Sequence, residues 1–206
     1  MNRECTGTYR AVVVGVSMGG VEALRVLFAG LPRDFPLPIL VVEHISPDSD
    51  SDPASLYNEQ PALRVKEAEE GELAAHGIAY LAPANYHLLI ERDGHFALST
   101  DPAVNFARPS VDVLFESAAE AFGPALIGVI LTGAGSDGSA GLKRIKDKGG
   151  LTIVQDPADA DTDSMPRCAL TLVKADHVLP LREIAPLLCK LAETGRNTSE
   201  EKGQGG

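Results

Sequence analysis

Basic residues are scarce in this chain. Against 29 Asp and Glu stand 18 Lys and Arg, a formal net charge of -11 over 206 residues. A chain this acidic does not track a phosphate backbone by bulk electrostatics, which sets nucleic acid aside as a partner. Long apolar runs are missing as well: the uncharged stretch over residues 122–136 is too short and too glycine-rich to span a bilayer. The N-terminal MNRECTGTYR lacks the apolar segment of a signal peptide. Cysteine occurs only at Cys5, Cys168 and Cys189, an odd number without a CxxC pair. That suits free thiols in a reducing compartment better than a disulfide framework or a zinc site. No internal repeat or long linker breaks the chain. The expectation is a soluble cytoplasmic domain, with no direct membrane insertion.

What is present is ordinary globular material, 44% apolar and 23% charged. At this length roughly 70% of the unfolded surface becomes buried, enough for a self-sufficient core. The strand candidates are nearly unbroken apolar runs: AVVV at 11–14, ILVV at 39–42, LIGVIL at 126–131 and LTIV at 151–154. Such runs suit strands buried on both faces of a parallel sheet. After the first come a glycine turn and Val21, Leu24, Phe28 and Leu31 at helical spacing. The third feeds another glycine-rich turn and a helix over 140–148, closed by Gly149. Shorter strands at 78–81, 86–92 and 95–99, the last two joined by a two-residue Asp93-Gly94 turn, read as an antiparallel flap on the main sheet. Ser110 is placed to cap a helix that carries Val111, Leu114, Ala118 and Phe122 on one face. Ile184, Leu187, Leu188 and Leu191 mark a final helix in which Pro186 fits only the first turn. The fold class is therefore α/β, a doubly wound, mostly parallel, Rossmann-like three-layer sheet with a small antiparallel β flap. Residues 1–10 form an extension, 11–193 the domain and 194–206 a flexible polar tail. Residues 43–101 hold twelve acids against three bases and read as a solvated acidic face.

The sharpest chemical signal is Gly15-Val16-Ser17-Met18-Gly19-Gly20, directly after the first strand. It satisfies G-x-S-x-G, in which a cramped strand-to-helix turn exposes a nucleophilic serine. His44 follows the second strand, so its imidazole belongs at the same sheet edge. His87, in the turn sequence Pro83-Ala84-Asn85-Tyr86-His87, is a second histidine placed to line a site. Asp137 is the only acid in the glycine-rich turn after the third main strand, where it either caps the next helix or orients a base. Open α/β sheets put their sites at the carboxyl ends of the strands, so three separate elements deliver nucleophile, base and orienting acid to one rim. The order Ser…His…Asp departs from the Ser…Asp…His order of α/β-hydrolases. Two rivals use overlapping residues. Gly15-x-Ser17-x-x-Gly20 with Glu43 imitates a dinucleotide-binding unit, but Ser17 stands where a glycine is wanted. Asp159, Asp161 and Asp163 have the spacing that opens a calcium loop, but Ser164 and Leu170 replace its glycine and its bidentate acid. A solvated loop is the better reading there.

Taken together, VVVGVSMGGVEAL, VVEHISP, EAEEGE, GIAYLAPANYHL, ARPSVDVLF, GVILTGAGSDGSAGL and TIVQDPADADTDSMPRCAL resemble the catalytic domain of the chemotaxis protein-glutamate methylesterases, the CheB family. The resemblance runs from about Ala11 to Leu191. It implies a serine hydrolase that removes methyl groups from glutamate γ-methyl esters, and deamidates glutamines, on the cytoplasmic helical domain of methyl-accepting chemotaxis receptors. By motif match Ser17 is the nucleophile, His44 the general base and acid, and Asp137 the residue that holds the imidazole. The backbone N–H groups of Met18 and Ala134 are the oxyanion candidates, while Glu43, His87, Arg108 and Met165 are candidates to line the site. No metal or organic cofactor is implied. This chain departs from the family pattern at Met18 (usually Thr), Glu43 (commonly Gln), Ala107 (often His) and Ala134 (a familiar Met). A silent binding module that keeps the fold is the non-enzymatic alternative. The receiver domain that usually precedes the esterase has no counterpart in the ten residues before the first strand, so the expectation is a stand-alone enzyme.

Overall fold

The computed structural model describes residues 9–44, 53–57 and 63–200. Cys5 and the acids Asp48, Asp50, Asp52 and Glu59 lie outside the described residues. The apolar runs become strands β1 (Ala11–Val16), β2 (Ile39–Glu43), β7 (Leu126–Ile130) and β8 (Leu151–Gln155). With β3 (Arg64–Glu67), β4 (Ile78–Leu81) and β9 (His177–Leu179) they form a seven-stranded sheet ordered β3-β4-β2-β1-β7-β8-β9. Every neighbouring pair in it is parallel. Alternation along β1 sends Val12, Val14 and Val16 into one core and Ala11 and Val13 into the other. Helices α1 (Gly20–Ala29) and α5 (Leu181–Glu200) cover the first face. Helices α2 (Val111–Phe122) and α3 (Ser139–Asp147) cover the second, with α4 (Ser164–Leu172). Among the described residues no helix is long and apolar enough to cross a membrane.

The strand 78–81 corrects one expectation. It is not part of the flap but a member of the main sheet, parallel to β2 and β3. Its IAYL is buried at three of four positions, Tyr80 completely, as a strand covered on both faces requires. The flap is β5 (His87–Ile90) and β6 (Phe96–Ser99) alone. Its turn holds three residues rather than two: Glu91 N donates to His95 O and Gly94 N to Glu91 O. Gly94 takes a left-handed φ of 95° there, the three-residue hairpin in which a type I turn is followed by a glycine bulge. Pro186 is likewise not in the first turn of α5, which starts at Leu181. The same helix runs to Glu200, beyond the boundary that the polar Thr194-Gly195 pair suggested. A helix nucleated by packed residues such as Ile184 and Leu188 propagates at little further cost. Gly149, with φ 87°, ends α3 as expected.

Candidate active site

The chain leaves β1, at the centre of the sheet, toward β2 on one side; β7 lies on the other side. A crevice therefore opens at the carboxyl ends of β1 and β7, and Ser17 begins it. Ser17 N donates to Thr132 O at 3.1 Å, and Gly20 N closes the turn onto Ser17 O at 2.8 Å. The Thr132 hydroxyl donates to Met18 O at 3.0 Å, while Thr132 N is held by Gln155 Oε1 at 2.8 Å. Two glycines make the turn possible. Gly19 has φ 80°, and a Cβ there would meet the Asp161 side chain at 2.8 Å. A Cβ on Gly133 would stand 2.2 Å from Met165 Sδ and 2.8 Å from Ser17 Cβ. Among the described residues neither Met18 N nor Ala134 N donates a hydrogen bond, so both N–H groups stay available beside Ser17.

His44 N donates to Val16 O at 3.1 Å and so continues the β1–β2 pairing. Its ring Nε2 lies 3.0 Å from Asp137 Oδ2. Nδ1 is thus the nitrogen left free for a serine, the reverse of the ring orientation in the serine-protease triad. Ser17 Oγ makes no hydrogen bond among the described residues, so the serine–histidine contact is not formed in this state.

Asp137 is almost fully buried at the N-terminus of α2 rather than on the helix that follows it in sequence. Its Oδ2 accepts from Val111 N at 2.7 Å. Its Oδ1 accepts from Ser110 Oγ at 2.8 Å, Asn105 Nδ2 at 2.9 Å and Asp112 N at 3.1 Å. Ser110 therefore does not cap α2 itself; it helps hold the carboxylate that does. Burial alone would push the Asp137 carboxyl up, but the His44 bond, then Asn105 and the Val111 and Asp112 N–H groups, outweigh it and hold it at about 2. Beside this pair opens a cleft of about 700 Å³, with His44, Asn105, Phe106, Arg108, Ala134 and Asp137 among its walls.

Residues 12–188 match the CheB methylesterase family. The chain belongs to that family. Within it, a Leptospira interrogans protein provisionally named protein-glutamate methylesterase/protein-glutamine glutaminase is 49% identical over 183 residues, 89% of this chain and 95% of that protein. The protein-glutamate methylesterase FrzG of Myxococcus xanthus is 44% identical over 180 residues, 87% of this chain and 54% of FrzG. The crystal structure of the Thermotoga maritima CheB methylesterase catalytic domain superposes with a TM-score of 0.84 at 36% identity, covering 89% of this chain and 98% of that one.

The remaining residues singled out in this CheB-family sequence divide between wall, support and far side. Arg108 is a wall residue, its guanidinium donating to the carbonyls of Thr100 (2.9 Å) and Asp101 (3.2 Å). His87 is a support: buried, it accepts from Ser110 N at Nδ1 and donates from Nε2 to Pro102 O, each at 3.2 Å. Met165 is buried under Gly133. Glu43 is turned to the α1 face, where Tyr57 OH donates to its Oε2 at 2.6 Å. Burial pushes its carboxyl up, partly offset by that bond. A dinucleotide ribose would find this acid already engaged. Of the other departures from the family pattern, Ala107 and Ala134 line the cleft and Met18 is exposed. The three aspartates of the acidic loop have separate tasks. Asp159 accepts from Leu181 N at 2.7 Å, Asp161 abuts Gly19, and Asp163 pairs with Arg167 at 2.6 Å. Among the described residues no group of three or more His, Cys, Asp or Glu is arranged to hold a metal ion. Asn105 is the site residue that sequence reasoning misses. The one available signal is that Asn tolerates a left-handed backbone, and here φ is 51°.

Proposed function

We propose that this enzyme hydrolyses glutamate γ-methyl esters on the helical cytoplasmic domain of methyl-accepting chemotaxis receptors. Ser17 Oγ attacks the ester carbonyl carbon as His44 Nδ1 takes its proton. The tetrahedral oxyanion is met by the N–H groups of Met18 and Ala134, each donor of this kind contributing about 3–4 kcal/mol. His44 returns the proton to the departing methoxide, which leaves as methanol. Water, activated by the same imidazole, then cleaves the acyl-enzyme to the glutamate carboxylate and regenerates Ser17. Asp137 stays ionised throughout, and its charge stabilises the imidazolium. A glutamine carboxamide follows the same route with ammonia as the leaving group. The observation that carries this reading is the 3.0 Å contact between His44 and Asp137 at the rim where the Ser17 turn ends. The Ser17–His44 bond forms when substrate fills the cleft, since catalytic hydrogen bonds tighten in the substrate complex.

The test compares methanol release from methylated receptor by wild type and by Ser17→Ala. Loss of the nucleophile should lower turnover by about 10⁴ to 10⁶. A fluorophosphonate should modify wild type at Ser17. Equal turnover, or an unlabelled Ser17, refutes the mechanism and favours a silent binding module.

A further inference from the structure

Behind Asp137 lies a second buried carboxylate that the mechanism above does not use. Asp112, in the first turn of α2, accepts from Gly141 N of α3 at 2.7 Å through Oδ1. Its Oδ2 accepts from Asn105 Nδ2 at 2.8 Å, and the same nitrogen donates to Asp137 Oδ1 at 2.9 Å. One amide thus spends its two N–H groups on two acids. Ionised carboxylates only accept, so two of them side by side need donors between them; Asn105 supplies one side-chain N–H to each, and Gly138 N adds a bond to Asp137 Oδ1 at 3.1 Å. The titratable groups around the gap are His44 just past β2, Asp112 from α2 and, behind Ser110, His87 from β5. Burial, and then the charge of Asp137, push the Asp112 carboxyl up, and the Asn105 bond lowers both carboxyls, so losing the amide makes it harder for the two acids to stay charged together. A proton shared with Asp137 would remove the charge that His44 needs. The backbone is arranged for this single contact. Asn105 and Phe106 adopt adjoining left-handed conformations, with φ 51° and 63°, at the tip of the small Val104–Ala107 turn. Asn105 is itself exposed, but its side-chain amide reaches back to both acids, while Phe106 beside it is fully exposed.

We infer that Asn105 is a positioning residue for hydrolysis: it keeps Asp137 ionised and turned toward His44 by separating it from Asp112. The inference rests on the hydrolytic reading of Ser17, His44 and Asp137 and deepens it.

The test uses the full chain with two readouts, methanol release from methylated receptor and the rate of fluorophosphonate labelling at Ser17. Asn105→Ala should lower kcat and the maximal labelling rate about 10- to 100-fold, the scale for one hydrogen bond to a charged group. KM should change less than kcat, because the main loss falls on the His44–Asp137 pair rather than on substrate binding. Adding Asp112→Asn places an amide against Asp137 and should recover part of the loss. A purely structural Asn105 instead predicts fewer folded molecules with an unchanged rate for each, and losses that add in the double variant. Either result overturns the inference. Should Asn105→Ala fail to fold, the isosteric Asn105→Asp decides. It sets a third acceptor between two acceptors and must lose rate, and a wild-type rate overturns the proposal. Labelling without methanol release would sink the receptor substrate alone and leave the Asn105 comparison intact. Absence of labelling in wild type would remove the hydrolytic reading, and the role of Asn105 with it.

Discussion

Asp137 serves two structures with one carboxylate. It takes the His44 Nε2 contact and it also caps α2 through Val111 N and Asp112 N, so stability and chemistry are coupled in a single side chain. The sign of its pH effect follows from its direction of shift. The folded carboxyl is depressed from 3.8 to about 2, so its contribution is complete above roughly pH 4 and is lost as pH falls through about 2. The shift corresponds to about 2 kcal/mol at neutral pH. Asp137→Asn keeps the shape but turns an amide N–H toward the Val111 N–H donor and can bond His44 only in the wrong tautomer. Urea unfolding at pH 7 should show a loss of about 2 kcal/mol or more, and the gap to wild type should narrow between roughly pH 4 and pH 2. Turnover should fall about 10⁴-fold, as for other orienting acids. A variant of wild-type stability at pH 7 would contradict the capping role.

At the scale of elements, α5 contains a local conflict. Pro186 lies within the helix, exposed, where it withholds an N–H and crowds the preceding turn. The flanking Ile184, Ala185 and Leu188 are buried and carry the helix through regardless. Pro186→Ala removes the conflict without touching the core. Thermal and urea unfolding should show a gain of about 1–2 kcal/mol, the propensity difference less the extra freedom of the unfolded chain. Unchanged or lower stability would mean that the proline fits the helix without penalty. The same contest explains what the sequence disclosed. The strands of β1, β2, β7 and β8 were legible because burial on both faces demands unbroken apolar runs. The edge strands were not, since RVKE in β3 and HVL in β9 are partly solvated and carry no period. Helix α4 was missed behind the aspartates that precede it. In the site, Ser17, His44 and Asp137 stood out because each follows a strand. That Asp137 would cap α2 rather than α3, and that Asn105 would reach it across 32 residues, are tertiary facts without a local signature.

At the scale of the whole molecule, the excess of acids sets the conditions under which the fold is most stable. A net charge of -11 repels itself at neutral pH, and two of the buried carboxyls, Glu43 and Asp112, are pushed up by burial. For both, the folded state holds its proton more tightly than the unfolded chain does, so their protonation stabilises the fold as pH falls from neutrality. Self-repulsion relaxes over the same range, as the chain approaches its isoelectric point near 4.8. Asp137 acts in the opposite direction only below roughly pH 4. Stability should therefore peak on the acid side of neutrality, at roughly pH 5, and fall on both sides. Salt distinguishes the two contributions. Screening acts on exposed charges and hardly on buried ones, so raising NaCl from about 20 mM to about 300 mM should raise Tm at pH 8 and leave it nearly unchanged at the isoelectric point. The buried carboxyls should keep the acid-side maximum in place at high salt, with a smaller slope. Calorimetry across pH 3–9 at both salt concentrations measures this directly. A maximum at or above pH 7 in high salt would mean that Glu43 and Asp112 ionise as easily in the fold as in the unfolded chain.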